Sequence, residues 1–232
     1  QTPCYLYNSK LNPLINYTIK GFIWYQGESN RDNAELYSRL HPAFVKDIRQ
    51  KWGYDFPFYY VQIAPYKYDN KTSSALLREV QTQGMKEIPN SGMAVTMDIG
   101  EKECIHPAKK QEVGNRLAYW ALAKTYNRKG FGYAPAEYKS MEVKDGKIHI
   151  SFNYVSSRSV VMPATGLNLF EVAGENRVFY PAKATVSNGK VIVSSDKVPH
   201  PVAARYAYKN FVEGDLKDDS GLAVSSFRTD NW

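Results

Sequence analysis

Between residues 19 and 126, short apolar runs alternate with amphipathic stretches, and that alternation leaves few architectures open. Ile19 to Tyr25 reads as a strand. Residues 33 to 51 read as a helix with Leu36, Leu40, Phe44 and Ile48 on one stripe. Phe56 to Ile63 is a second strand, closed by Pro65. A helix over 73 to 88 carries Leu77, Val80, Gly84 and Ile88 near one face, and Met93 to Met97 is a third strand. A third helix spans 107 to 126. Pro107 takes a favoured first-turn position there, and Val113, Leu117, Trp120 and Ala121 form the apolar face. Strand–helix alternation implies a parallel sheet covered by helices. Open sheets of this class usually hold about five or more strands. With three, residues 1–132 are expected to be an α/β domain incomplete at its N-terminus.

After Gly130-Phe131-Gly132 the pattern changes to short strands: Lys147 to Phe152, Ser159 to Met162, Asn168 to Val172, Lys190 to Ser194 and Ala203 to Tyr208. Asp145-Gly146 and Asn188-Gly189 are hairpin turn signals. Residues 133–232 are therefore expected to form an antiparallel, β-sandwich-like module.

A hydrophobic fraction of 43% supports a packed core and excludes a disordered chain. No apolar run is long enough to span a membrane. Net charge is +7, with 18 Lys+Arg against 12 Asp+Glu in residues 1–130 and 12 against 11 after them. The basic first part could favour anionic substrates, but a merely soluble surface is the better reading. There is no Lys/Arg run or RNA-binding signature, so neither nucleic acid nor membrane is an expected partner. Cys4 and Cys104 are too few for a disulfide framework or a four-cysteine zinc site and read as free thiols.

Two strands end abruptly at polar turns, where open α/β sheets hold their chemistry. The first run is Gly21-Phe22-Ile23-Trp24-Tyr25-Gln26-Gly27-Glu28-Ser29-Asn30. The second is Asp98-Ile99-Gly100-Glu101-Lys102-Glu103-Cys104-Ile105-His106-Pro107. His106, in a loop stiffened by Pro107, is a candidate general base, because a neutral imidazole can take a hydroxyl proton near pH 7. His41, His149 and His200 lack such a context and read as structural. Glu101, Glu103, Cys104 and His106 match no standard zinc spacing, so no metal or other cofactor is expected. Ser29 lacks the final glycine of a nucleophile elbow and precedes a helix, where serine commonly caps. Arg78 and Glu79 read as members of an ion pair within the domain.

These motifs together resemble the sialate O-acetylesterases, SGNH-type carbohydrate esterases. The resemblance rests on Trp24-Tyr25-Gln26-Gly27-Glu28-Ser29-Asn30, Leu77-Arg78-Glu79-Val80-Gln81, Asp98-Ile99-Gly100 and Ile105-His106-Pro107. It extends to Leu6-Tyr7-Asn8, Asn12-Pro13-Leu14, Arg205-Tyr206-Ala207-Tyr208, Gly221-Leu222 and Phe227-Arg228-Thr229-Asp230. It implies an SGNH-hydrolase-like, flavodoxin-like parallel sheet with flanking helices, and a serine esterase that removes acetyl groups from sugar hydroxyls. The family's Gly-Gln-Ser-Asn type nucleophile motif is absent, so this chain alone is expected to be inactive. The serine would come from an N-terminal segment, and the chain is expected to associate with that segment or with another copy. A non-catalytic carbohydrate-binding fragment is the alternative.

The resemblance assigns His106 as base and Gln26 as oxyanion-hole donor. It leaves the acid member open: the places two and three residues before His106 hold Cys104 and Glu103, so Glu103, a backbone carbonyl or a water would orient the imidazole, with Asp98 the weaker alternative. Glu28, itself negative, would hold Gln26, a basic partner such as Arg78, or a sugar hydroxyl. Trp24 and Tyr25 would meet the sugar. The expected substrate is an acetylated sugar or sialic acid, and the expected location periplasmic or extracellular, in glycan degradation.

Overall fold

The computed structural model describes residues 4–69 and 73–232. β1 (Phe22–Tyr25), β2 (Phe58–Val61) and β3 (Ser91–Ala94) form a parallel sheet in the order β1-β2-β3. Helices α1 (Ala34–Trp52), α2 (Ser74–Glu87) and α3 (Lys110–Trp120) follow the strands in turn. The central strand β2 is buried along its whole length. Phe58 and Tyr60 join a core that includes Val45 and Ile48 of α1, while Tyr59 and Val61 pack with Val113, Leu117 and Trp120 of α3. Burial on both faces is why its sequence is a continuous apolar run rather than an alternation.

On α1 the buried stripe is Tyr37, His41, Val45 and Ile48, not the expected Leu36, Leu40, Phe44 and Ile48. Leu36 and Leu40 are exposed. Phe44 of that stripe meets the Trp24 ring, 4.7 Å between centroids, so the stripe leads toward the β1 side of the helix. There β1 pairs on one side only among the described residues, and Ile23 is 67% exposed. The third helix begins at Lys110 rather than Pro107. Glu101 Oε1 accepts from the Ala108 N–H at 2.6 Å and keeps the intervening residues in the loop. The third strand runs Ser91–Ala94, earlier than expected. A Cβ on Gly92 would lie 2.4 Å from the Trp120 indole, so only glycine lets α3 lie this close.

The rest of the chain is antiparallel. One four-stranded sheet, β4-β5-β10-β9, contains β4 (Glu137–Lys144), β5 (Lys147–Asn153), β9 (Lys183–Ser187) and β10 (Lys190–Ser194). The second, β13-β11-β7-β8, contains β7 (Phe170–Ala173), β8 (Phe179–Pro181), β11 (Ala203–Tyr206) and β13 (Phe227–Arg228). A short pair joins β6 (Val160–Val161) to β12 (Lys217–Asp218). Both expected hairpin turns form, with positive φ at Asp145, Gly146, Asn188 and Gly189. Phe152 of one sheet meets Phe227 of the other edge-on at 6.0 Å. The inward rows of both sheets share one buried cluster with Val45, Phe58 and Met93 of the α/β part, so the core runs without a break across residue 132. Cys4 and Cys104 are free and exposed.

Candidate active site

The parallel register pairs Tyr25 with Val61 and Val61 with Ala94. The turns that follow the three strands therefore leave the sheet at one carboxyl edge. Gln26 opens the first turn, half-buried, and donates one amide N–H to Asn30 Oδ1 at 2.7 Å. Its backbone carbonyl accepts from Tyr37 Oη at 3.3 Å. A Cβ on Gly27 would lie 2.8 Å from Ile63 Cγ2 and 3.1 Å from Gln81 Nε2, so the turn is packed to the backbone.

Glu28 begins a helical turn over Glu28–Asn33. Burial, with the charge of Glu28 adding to it, pushes the phenols of Tyr25 and Tyr68 up to about 12. Tyr37 is raised by the same two causes, opposed by its hydrogen bonds. Arg31 lies 4.4 Å above the Tyr68 ring and bonds Asp69 at 2.7 Å. Trp24 turns its ring to Phe44 and Phe22 in the core. Tyr25 is 37% exposed, with Lys110 Nζ 4.9 Å above its ring. That contact brings the start of α3, four residues past His106, to the end of β1.

The loop after β3 is anchored along its length. Gly100 packs against Pro65, where a Cβ would meet the carbonyl oxygen at 2.3 Å, and Lys67 N donates to the Lys102 carbonyl at 3.2 Å. His106 is exposed, and its carbonyl accepts from Cys104 Sγ at 3.2 Å. Glu103 is exposed and faces Lys67 Nζ at 3.7 Å. Asp98 has both oxygens occupied: Arg116 grips it at 2.7 and 2.8 Å, and Lys217 closes at 3.1 Å. These partners hold its carboxyl below the usual range against burial, which acts the other way, and commit it to tying the loop to α3 and β12.

The expected Arg78–Glu79 pair does not form. Arg78 is fully buried and donates to Ser226 Oγ at 3.0 Å, Ser74 Oγ at 2.9 Å and the Lys209 carbonyl at 2.5 Å, and burial lowers it to about 10. Glu79, on the next position of the helix and so on another face, pairs with Arg228 at 2.9 Å and accepts from Tyr208 Oη at 2.6 Å. The tail motif Phe227–Asp230 thus fastens α2 rather than lining the carboxyl edge. Gln81 and Tyr37 have no local mark that points to Gln26; both reach it only through the fold.

A cavity of about 670 Å³ lies at the other end of the sheet, between the last turns of α1 and Glu87–Pro89. A second, about 460 Å³, is lined by Lys67, Tyr68, Ser73, Lys102, Lys209 and Asn210 beside the loop after β3. No metal-ligating cluster occurs among the described residues. No helix among them is long and apolar enough to cross a membrane.

Residues 5–123 match the family described as carbohydrate esterase, sialic acid-specific acetylesterase. The sialate O-acetylesterase of Mus musculus is 32% identical over 170 residues, which are 64% of this chain and 31% of that protein. The sialate O-acetylesterase of Homo sapiens is 29% identical over 226 residues, 88% of this chain and 43% of that protein. The chain thus spans less than half the length of these curated relatives. A crystal structure of a carbohydrate acetylesterase from Xanthomonas citri matches with TM-score 0.92 at 36% identity, over 100% of this chain and 55% of that one.

Proposed function

The chain belongs to the carbohydrate esterases of the sialic acid-specific acetylesterase family, and from that premise we propose that it supplies the base and oxyanion side of a sugar O-acetylesterase of the sialate 9-O-acetyl type. In this reading a serine from polypeptide outside these 232 residues approaches the free side of β1. Its Oγ attacks the acetyl carbonyl while His106 takes its proton, and the amide of Gln26 donates to the oxygen that becomes negative. As the intermediate collapses and the bond from the acetyl carbon to the sugar oxygen breaks, His106 returns the proton to that oxygen, which leaves as the sugar hydroxyl. Water, deprotonated by His106 in turn, attacks the acetyl-serine; acetate leaves as the bond to Oγ breaks, and His106 returns that proton to the serine Oγ.

Glu103, or a backbone carbonyl, orients the imidazole. Glu103 leaves Lys67 to do so, since a contact at 3.7 Å between exposed groups is a weak tether. Tyr25 and Glu28 meet the sugar, with Trp24 fixing the strand beneath them. The substrate is an acetylated sugar or sialic acid, in the periplasm or outside the cell. The observation that carries the reading is the common register: the turn bearing Gln26 follows β1 and the loop bearing His106 follows β3, parallel strands on either side of β2 whose ends point the same way.

The test joins this chain to the part of the Xanthomonas citri acetylesterase outside the match, and measures acetate released from O-acetylated sialic acid. The joined protein is expected to turn over, with Gln26→Ala costing on the order of 10²-fold and Glu103→Gln less. The 232-residue chain alone is expected to leave an aryl acetate at background. Robust turnover by the chain alone that Ser29→Ala abolishes would overturn the outside serine. Sugar binding without turnover by the joined protein would favour a carbohydrate-binding role.

A further inference from the structure

We propose that Gln81 is a positioning residue for the Gln26 amide, an inference that rests on reading Gln26 as the oxyanion donor. Gln81 lies on α2, its side chain wholly buried. Its Oε1 accepts from the Ile63 N–H at 2.9 Å, at the end of β2. Its Nε2 points the other way and is shared between the carbonyls of Gln26 and Val61, at 3.4 Å each. One carboxamide thus spans both strand ends. Nε2 also stands where a side chain on Gly27 would have to go. The peptide that carries Gln26 into Gly27 is therefore pinned from beneath by Gln81 and from α1 by Tyr37.

The clamp is only as rigid as α2, and α2 is tied on several sides. Tyr60 Oη bonds the Gln81 carbonyl at 2.6 Å. Arg78 reaches Ser226 and the Lys209 carbonyl, Glu79 reaches Arg228 and Tyr208, and Thr82 meets Ser225 at 3.2 Å. The segment Leu77–Gln81 therefore faces two ways: Arg78 and Glu79 engage the β module, while Gln81 engages the turn. An oxyanion donor acts by being aimed before charge develops, and a displacement of about 1 Å at such a site costs on the order of 10²-fold in rate. Holding the Gln26 backbone is thus worth most of what the Gln26 amide itself contributes.

Two substitutions separate this role from simple packing. Gln81→Met keeps length and volume but removes both polar ends. Gln81→Glu keeps an acceptor for Ile63 and loses the donor to Gln26 until its carboxyl is protonated. In the joined esterase, Gln81→Met should lower kcat about 10- to 100-fold with KM changed less than about threefold. Gln81→Glu should recover relative to the parent as pH falls, because the protonated carboxyl donates again. In the 232-residue chain, Gln81→Met should shift the side-chain amide resonance of Gln26 and speed hydrogen exchange over residues 26–30 at least about tenfold. Exchange in α3 and in β5 should stay unchanged.

If Gln26→Ala slows the enzyme while Gln81→Met leaves kcat and exchange at 26–30 unchanged, the clamp is wrong and the esterase reading stands. If Gln26→Ala has no effect on rate, the oxyanion role fails and the clamp's function fails with it. Should Gln81→Met not fold, the pH response of Gln81→Glu decides: no recovery at lower pH overturns the proposal.

Discussion

His41→Phe should flatten the acid side of the stability curve. His41 sits 5% exposed among Tyr37, Phe58 and Tyr60, whose ring centroids lie 5.2, 5.7 and 4.7 Å away, and its Nε2 has no hydrogen-bond partner among the described residues. Burial takes its pKa from 6.5 to about 4, because the folded site cannot solvate an imidazolium. The unfolded chain binds that proton more tightly. Stability is therefore full above pH 6.5 and is lost as pH falls through the interval down to about 4. At about 1.4 kcal/mol per pH unit, the loss between pH 7 and pH 4.5 comes to about 2.5 kcal/mol from this one residue. A phenyl ring fills the same aromatic cage without titrating, so His41→Phe should lie within about 1 kcal/mol of the parent at pH 7. Other groups titrate in both proteins and cancel: Asp98, held low, adds loss at still lower pH, and Glu137, raised by burial, opposes it. Urea unfolding followed by tryptophan fluorescence at pH 7, 6, 5 and 4.5 measures the difference curve. A difference that stays flat across this range would refute the argument that His41 is held neutral.

Gly27→Ala should cost about 1–3 kcal/mol, the scale for overpacking, because its Cβ would meet Ile63 Cγ2 at 2.8 Å. It should also disturb Gln26; thermal unfolding and the Gln26 amide resonance check both. Arg78→Met should lower stability by about 2 kcal/mol: three acceptors lose a charged donor, offset in part by removal of a buried cation that no carboxylate among the described residues touches. Urea midpoints with an unchanged slope would measure it, and an unchanged midpoint would contradict it.

The α/β order was legible because its signals are local. The apolar run of β2 and the amphipathic periods of α2 and α3 each lie within a few residues, and so do the two hairpin turns that mark the antiparallel part. The α1 stripe was misjudged because Leu36 and Leu40 are as apolar as core residues yet lie exposed, while Tyr37 and His41 carry polar atoms inward. Strand β4 escaped notice because it is an edge strand with mostly exposed polar residues, Glu-Tyr-Lys-Ser-Met-Glu-Val-Lys, and so shows no alternation. β9, the opposite edge of the same sheet, does alternate, but its inward residues are only Ala184 and Val186 in a five-residue strand, too short an apolar signal to stand out. At the candidate site, Gln26 and His106 stood out as polar residues at strand ends. Gln81 did not: a glutamine in a helix has no sequence mark that tells a buried clamp from a solvated side chain. The commitment of Asp98 to Arg116 and Lys217 needs tertiary placement of a helix and a distant strand.

Acetate release from 9-O-acetylated sialic acid tests whether His106 is the base proposed for sugar acetylester hydrolysis. The comparison is the joined protein against its His106→Ala variant at pH 7, with circular dichroism on both. His106 is exposed and its side chain makes no hydrogen bond or ion pair among the described residues, so the fold should be unchanged. Loss of a general base should lower kcat/KM on the order of 10²–10⁴-fold. A His106→Ala protein that releases acetate within about twofold of its parent, a span too small for a lost proton acceptor, would show that His106 is not the base.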